Sequence, residues 1–116
     1  MRITDSAAIG RILKAIADPE NVKIMSRIRK EAKSAQMLAS ETGIPQSTVY
    51  RKLEELKEAG LAMTGRYIVT AGKKVEFMTV TFSDLRMSIE EGGLGIEIVP
   101  SDETASLRWL SLFRGS

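Results

Sequence analysis

The chain has 116 residues, 43% of them hydrophobic and 28% charged, which is the size and composition of one globular domain with a single core. It holds no cysteine and no histidine, which removes disulfides, thiolate and imidazole metal ligands, thiol nucleophiles and imidazole bases, so neither an enzyme nor a cofactor is expected. The net charge of +2 hides an asymmetry: residues 1–80 hold fourteen Lys and Arg against nine Asp and Glu, residues 81–116 three against six, as in a polyanion-binding module followed by a segment with another task.

Residues 1–10 carry Asp5 and no long apolar stretch, unlike a secretory signal. No apolar run approaches the ~18 residues of a membrane-spanning helix. The expected compartment is the cytoplasm, with no membrane partner.

Ile9, Ile12, Leu13 and Ile16 recur at helical spacing, which predicts a first helix over 6–17. Asp18-Pro19 is a boundary: Asp18 can cap the next helix, and Pro19 suits its first position, where no amide donor is needed. Val22, Ile24, Met25 and Ile28 form the expected buried face of this second helix, to about Lys30, and Lys23, Arg27, Lys30 and nearby Lys33 its wet face. Ser34 is placed to cap a short third helix with Met37, Leu38 and Ala39 inward, ended by Gly43. Ile44 and Pro45 lead into a fourth helix with an apolar stripe of Val49, Leu53 and Leu56, ended at Gly60.

Beyond Leu61 the pattern turns to β-formers. Tyr67, Ile68 and Val69 precede Val75, Phe77, Val80 and Phe82, with Ala71-Gly72-Lys73-Lys74 between them, predicting a β-hairpin with a basic tip. In a second hairpin Leu85, Met87 and Ile89 alternate with Arg86, Ser88 and Glu90, and after Glu91-Gly92-Gly93, Ile96 and Ile98 flank Glu97. Strict alternation predicts one buried and one wet face. Gly92-Gly93-Leu94-Gly95 lacks the lysine and the helix of a phosphate loop and is read as a turn. Pro100 ends the strand, and a last helix is expected, apolar around much of its girth through Ala105, Leu107, Trp109, Leu110, Leu112 and Phe113.

The stretch from Ser34 to Leu61 carries the functional expectation. The turn at Gly43 lies between two apolar stripes, so the third and fourth helices can cross steeply around Leu38, Ile44, Val49 and Leu53, as a helix-turn-helix. With Val49, Leu53 and Leu56 inward, Gln46, Ser47, Tyr50, Arg51 and Glu54 face outward near the helix start, the end that enters the major groove in such motifs. Gln46 suits adenine and Arg51 guanine. Ser47, Thr48 and the free amides of the helix start suit phosphates, and Tyr50 offers a ring or a hydroxyl. Arg66, Lys73 and Lys74 on the hairpin are expected at phosphates or the minor groove beside it. Glu54 and Glu55 are read as partners of neighbouring helix side chains.

At these residues the sequence resembles the winged helix-turn-helix transcription regulators of the ArsR-like superfamily. Leu13-Lys-Ala-Ile-Ala-Asp-Pro-Glu-Asn-Val-Lys-Ile-Met25 is similar to that family's opening helices. Gln46-Ser-Thr-Val-Tyr-Arg-Lys-Leu-Glu-Glu-Leu56, followed by Gly60-Leu61, is similar to its recognition helix and exit. The resemblance spans about residues 8–82. It implies a dimeric repressor or activator, with Gln46 to Lys52 in the groove and Ala71 to Lys74 as the wing. The metal-sensing branch uses cysteines and histidines, absent here, so metal sensing does not carry over. The second hairpin and last helix lie outside the minimal family domain and are similar to the tail of archaeal-type members.

The expected fold is therefore α+β: a winged helix-turn-helix of four helices and a wing over residues 1–82, extended over 83–116 by a second hairpin and a helix for dimerisation or regulation. Double-stranded DNA is the expected partner, read by a helix over about 46–59, and a second copy is expected at Leu107, Trp109, Leu110 and Phe113. Two other classes stay open at this point: a winged helix serving as a protein-interaction module, and a sensor gated by a small molecule that no polar cluster identifies.

Overall fold

A computed structural model describes residues 1–101. A short strand, β1 (Arg2–Ile3), precedes four helices: α1 (Ser6–Ile16), α2 (Pro19–Lys30), α3 (Ala35–Thr42) and α4 (Gln46–Glu58). Two hairpins follow, β2 (Ala62–Thr70) with β3 (Lys73–Val80), and β4 (Phe82–Glu90) with β5 (Gly93–Pro100). The expected last helix, with Leu107, Trp109, Leu110 and Phe113, lies outside the described residues.

The first three helices each begin where a short polar side chain can satisfy free amides. Asp5 accepts from the Ala8 amide at 2.8 Å, Asp18 from Glu20 at 2.9 Å and Ser34 from Met37 at 3.2 Å. Pro19 occupies the first turn of α2. Gly43 ends α3 at φ 79°, a left-handed conformation that only glycine adopts without a Cβ penalty.

Ile12, Ile24, Ile28, Leu38, Val49 and Leu56 are fully buried and bring the four helices onto one core. Met78 and Val80 of β3 close it on one side, and Ile96 and Ile98 of β5 on another. The helix stripes were legible, with two corrections. On α2 the fourth inward position is Asn21, whose amide donates to the Ala15 carbonyl at 3.0 Å, while Val22 is exposed. The helix meets α1 one position earlier in its turn than the apolar pattern suggests. On α3 it is Ala35 and Leu38 that are buried, with Met37 only half so.

Lys33 is a third correction. It is buried, with its ammonium 2.9 Å from Glu41 and 3.1 Å from Glu31. Its backbone exchanges two hydrogen bonds with Met78, so the α2–α3 connection is drawn against β3 and carries its side chain inward. The hydrogen bonds that it donates to Glu41 and then Glu31 push the Lys33 ammonium above its ordinary pKa.

The second hairpin is tied to the first helical layer. β1 pairs antiparallel with β5, Ile3 opposite Ile96, giving a three-stranded sheet of order β1-β5-β4. Ile3, Ile96 and Ile98 share the cluster that holds Ile12 and Ile24, so the expected boundary at residue 82 is crossed by both a sheet and the core. The alternation of β4 runs past the core it was expected to cover. Leu85 is half-buried opposite Ile98, but Met87 is 49% and Ile89 87% exposed. The helical layer ends beneath the base of the hairpin and leaves its tip uncovered among the described residues.

Candidate nucleic-acid interface

α4 starts at Gln46 behind Pro45, and no side chain caps it. The first-turn amides of α4 therefore point outward without an intramolecular acceptor, at the positive end of the helix. No acidic residue occupies that turn. Val49, Leu53 and Leu56 anchor the inner face, which turns Gln46, Ser47, Tyr50, Arg51 and Glu54 outward. Tyr50 is 57% exposed. Thr48 is half-buried at the rim of that face.

Lys52, expected in the groove, is not on this surface. It is 4% exposed, and its ammonium lies 2.5 Å from Asp18 and 3.4 Å from Glu20. Position 52 falls between the inward Val49 and Leu56 on the side facing the start of α2, where two carboxylates meet it. The hydrogen bond to Asp18 raises the Lys52 pKa against the opposing effect of burial. The same bond, again against desolvation, holds the Asp18 carboxyl below its ordinary range.

Opposite α4 stands the β2–β3 hairpin. Thr70 and Lys73 flank a two-residue turn in which Ala71 has φ 51° and Gly72 φ 77°, the left-handed pair of a type I′ turn. Near its base Gly65 marks a bulge between Thr64 and Arg66. A Cβ there would lie 3.3 Å from Ala32 Cβ and 3.3 Å from the Phe77 carbonyl oxygen, so the small residue lets the hairpin approach the α2–α3 connection.

A cleft of about 470 Å³ separates the hairpin from the helices. Gln46, Tyr50 and Glu54 line it from α4, Gln36 from the start of α3, and Tyr67, Lys73 and Lys74 from the hairpin. The Lys74 ammonium sits 4.1 Å from the centre of the Tyr67 ring, a cation–π contact that holds the charge toward the cleft. Deeper in the cleft Lys57 lies 3.5 Å from both Glu54 and Glu76, and Glu76 also accepts a hydrogen bond from Thr64. The acidic groups of the floor are thus engaged, and the lysines at the mouth are not paired with them.

Arg66 is not brought to this cleft. Strand alternation pairs it with Phe77, over whose ring its guanidinium lies at 4.8 Å, while Tyr67, Lys74 and Glu76 occupy the other face. Arg51 reaches Glu55 at 3.3 Å one turn on, with its side chain 63% exposed, an ion pair too weak and too wet to hold it. Two features escaped sequence reasoning. Gln36 beside Gln46 could have been found from its place two residues after the Ser34 cap. The Asp18–Lys52 pair spans 34 positions of sequence, and no local pattern signals it.

The helix-turn-helix domain family matches residues 16–64. No curated protein matches the chain. Among solved structures the fold is similar to NolR from Sinorhizobium fredii, with a TM-score of 0.56 and 23% identity over 67% of this chain and 73% of that one. It is also similar to HlyU from Vibrio cholerae, with a TM-score of 0.54 and 22% identity over 91% of this chain and 89% of that one. With four helices ahead of a β-hairpin wing, the chain has a winged helix-turn-helix fold, and its residues 16–64 are similar to the helix-turn-helix domain family.

Proposed function

We propose that the chain is a sequence-specific, double-stranded DNA-binding transcription regulator that works as a homodimer. α4 lies in the major groove, and the β2–β3 wing follows the adjacent backbone. The observation that carries this reading is the uncapped start of α4 beside Gln46, Ser47, Tyr50 and Arg51, facing a cleft whose other lip bears Lys73 and Lys74. Amides at a helix start and lysine ammoniums suit phosphates, while Gln46 at that start and Arg51 on the next turn suit base edges. Gln36 at the start of α3 is added to the contacting set, because it shares the cleft with Gln46.

Selection of random duplexes at two salt concentrations, with oligomeric state measured alongside, tests the proposal. Enrichment of a near-palindrome with half-sites about 34 Å apart, one turn of DNA, is the expected result. Affinity should fall steeply as salt rises. Absence of both enrichment and salt-dependent binding would overturn the reading in favour of a protein-interaction module.

A further inference from the structure

In the sheet of order β1-β5-β4, β4 is bonded on one side only among the described residues. The two-residue turn makes Glu90 and Gly93 a bonded pair, and such pairs alternate along an antiparallel ladder. Arg86, Ser88 and Glu90 therefore bond toward β5, and the amides and carbonyls of Leu85, Met87 and Ile89 point away from it. Among the described residues none of these three makes an outward hydrogen bond. Natural edges are usually blunted by lysine, proline, a bulge or a cover. Here the bulge lies at the far end, between Phe82 and Asp84, and neither lysine nor proline occurs from Leu85 to Glu90. Met87 and Ile89 stand exposed on one face of this open strand.

We infer that β4 is the dimer edge: it pairs antiparallel with β4 of a second copy, about a twofold axis at Ser88, joining two three-stranded sheets into one. The register follows from charge. Backbone parity requires the outward residues of one strand to meet outward residues of the other. Centring on Arg86 sets that arginine against itself. Centring on Met87 sets Asp84 against the partner's Glu90, and centring on Ile89 leaves Arg86 opposite a glycine. Centring on Ser88 sets Arg86 opposite the partner's Glu90 twice by symmetry, at non-bonded positions where side chains approach most closely. The same register places Met87 against the partner's Ile89 and so covers both exposed apolar side chains. In the single chain Arg86 leans on Asp84 at 2.6 Å, and Glu90 is held by Arg2 across Gly95. In the pair, Glu90 receives a guanidinium from each side.

This placement rests on the homodimer reading above, and sedimentation equilibrium of the full chain tests the two separately. The parent should dimerise. Arg86→Glu should raise the dimer dissociation constant about tenfold or more, because two cross-strand attractions become two repulsions. Ile89→Lys should act in the same direction by blunting the edge. The double reversal Arg86→Glu/Glu90→Arg should recover most of the loss. Both side chains are exposed, so circular dichroism should show each variant folded. A parent monomeric at every concentration would overturn the dimer and the edge together. A dimer unmoved by both Arg86→Glu and Ile89→Lys would overturn the edge and leave the dimer standing.

Discussion

The Lys52 ammonium lies 2.5 Å from Asp18 Oδ2 and joins the middle of α4 to the start of α2. The other Asp18 oxygen caps α2 through the Glu20 amide at 2.9 Å. One carboxylate thus serves both helices, and the pair adds to the Val49, Leu53 and Leu56 stripe in holding α4 with Gln46, Ser47, Tyr50 and Arg51 outward. Lys52→Met keeps the packed stem and removes the charge. Asp18 remains about a third exposed and can be solvated, so the cost should be about 1–2 kcal/mol in urea unfolding rather than that of a fully buried pair. DNA affinity should fall for all sequences alike with the salt slope unchanged. A slope lowered by about one would make Lys52 a phosphate contact.

The acid limb of stability has a definite sign. Lys52 holds Asp18 below its ordinary value of 3.8, and Lys33 holds Glu41 below 4.5, each chiefly by a hydrogen bond. A carboxyl depressed in the folded state takes up protons more readily when unfolded, so stability rises with pH through that window. The contribution is complete above the ordinary values and is lost as pH falls through the folded ones. Thermal melts of the parent should therefore decline below those values, and those of Lys52→Met and Glu41→Gln less steeply. A Lys52→Met curve parallel to the parent's would exclude Asp18 from the acid response.

The features legible in the sequence are those with a local or periodic cause. Asp18-Pro19, Ser34 and Gly43 announce helix ends because capping chemistry acts within a few residues. Ile24, Ile28, Val49, Leu53 and Leu56 announce buried faces because helical spacing repeats. Lys33 and Lys52 read as wet basic residues because their carboxylate partners come from other elements. The pairing of β1 with β5 was invisible for the same reason: two residues near the start meet a strand more than ninety positions on. Alternation in Met87 and Ile89 gave the strand correctly but not the extent of the layer beneath it.

Arg51 should be the most informative position for base reading. Its contact with Glu55 is exposed and leaves the guanidinium free to reorient. Arg51→Ala should weaken binding to the selected site by about 1–3 kcal/mol and relax preference at one base pair. Footprinting with unchanged affinity and unchanged preference would remove Arg51 from the groove.

The wing separates by face. Lys74 lies with Tyr67 on the cleft face and Arg66 with Phe77 on the opposite face, while Lys73, which has the strand parity of Arg66, lines the cleft from the end beside the turn. Lys73→Ala and Lys74→Ala should each weaken every sequence to the same degree and lower the salt slope by about one. Arg66→Ala should alter the slope less than either. Equal effects at all three positions would mean that the wing lies in DNA edge-on rather than with its cleft face toward the backbone.

The turn that presents those lysines carries a correctable cost. Ala71 adopts φ 51° and Gly72 φ 77°. The glycine accepts this freely, but the alanine Cβ crowds the neighbouring carbonyl. Asparagine tolerates the left-handed region far better and leads the type I′ preference ahead of glycine. Ala71→Asn should therefore raise stability by about 0.5–1 kcal/mol, read as a shifted urea midpoint at constant slope. The β-branched Ala71→Val should lower it by a similar or larger amount. Neither change adds or removes charge, so the salt slope of DNA binding should stay where it was. A destabilising Ala71→Asn would show that the wing turns by a geometry other than type I′.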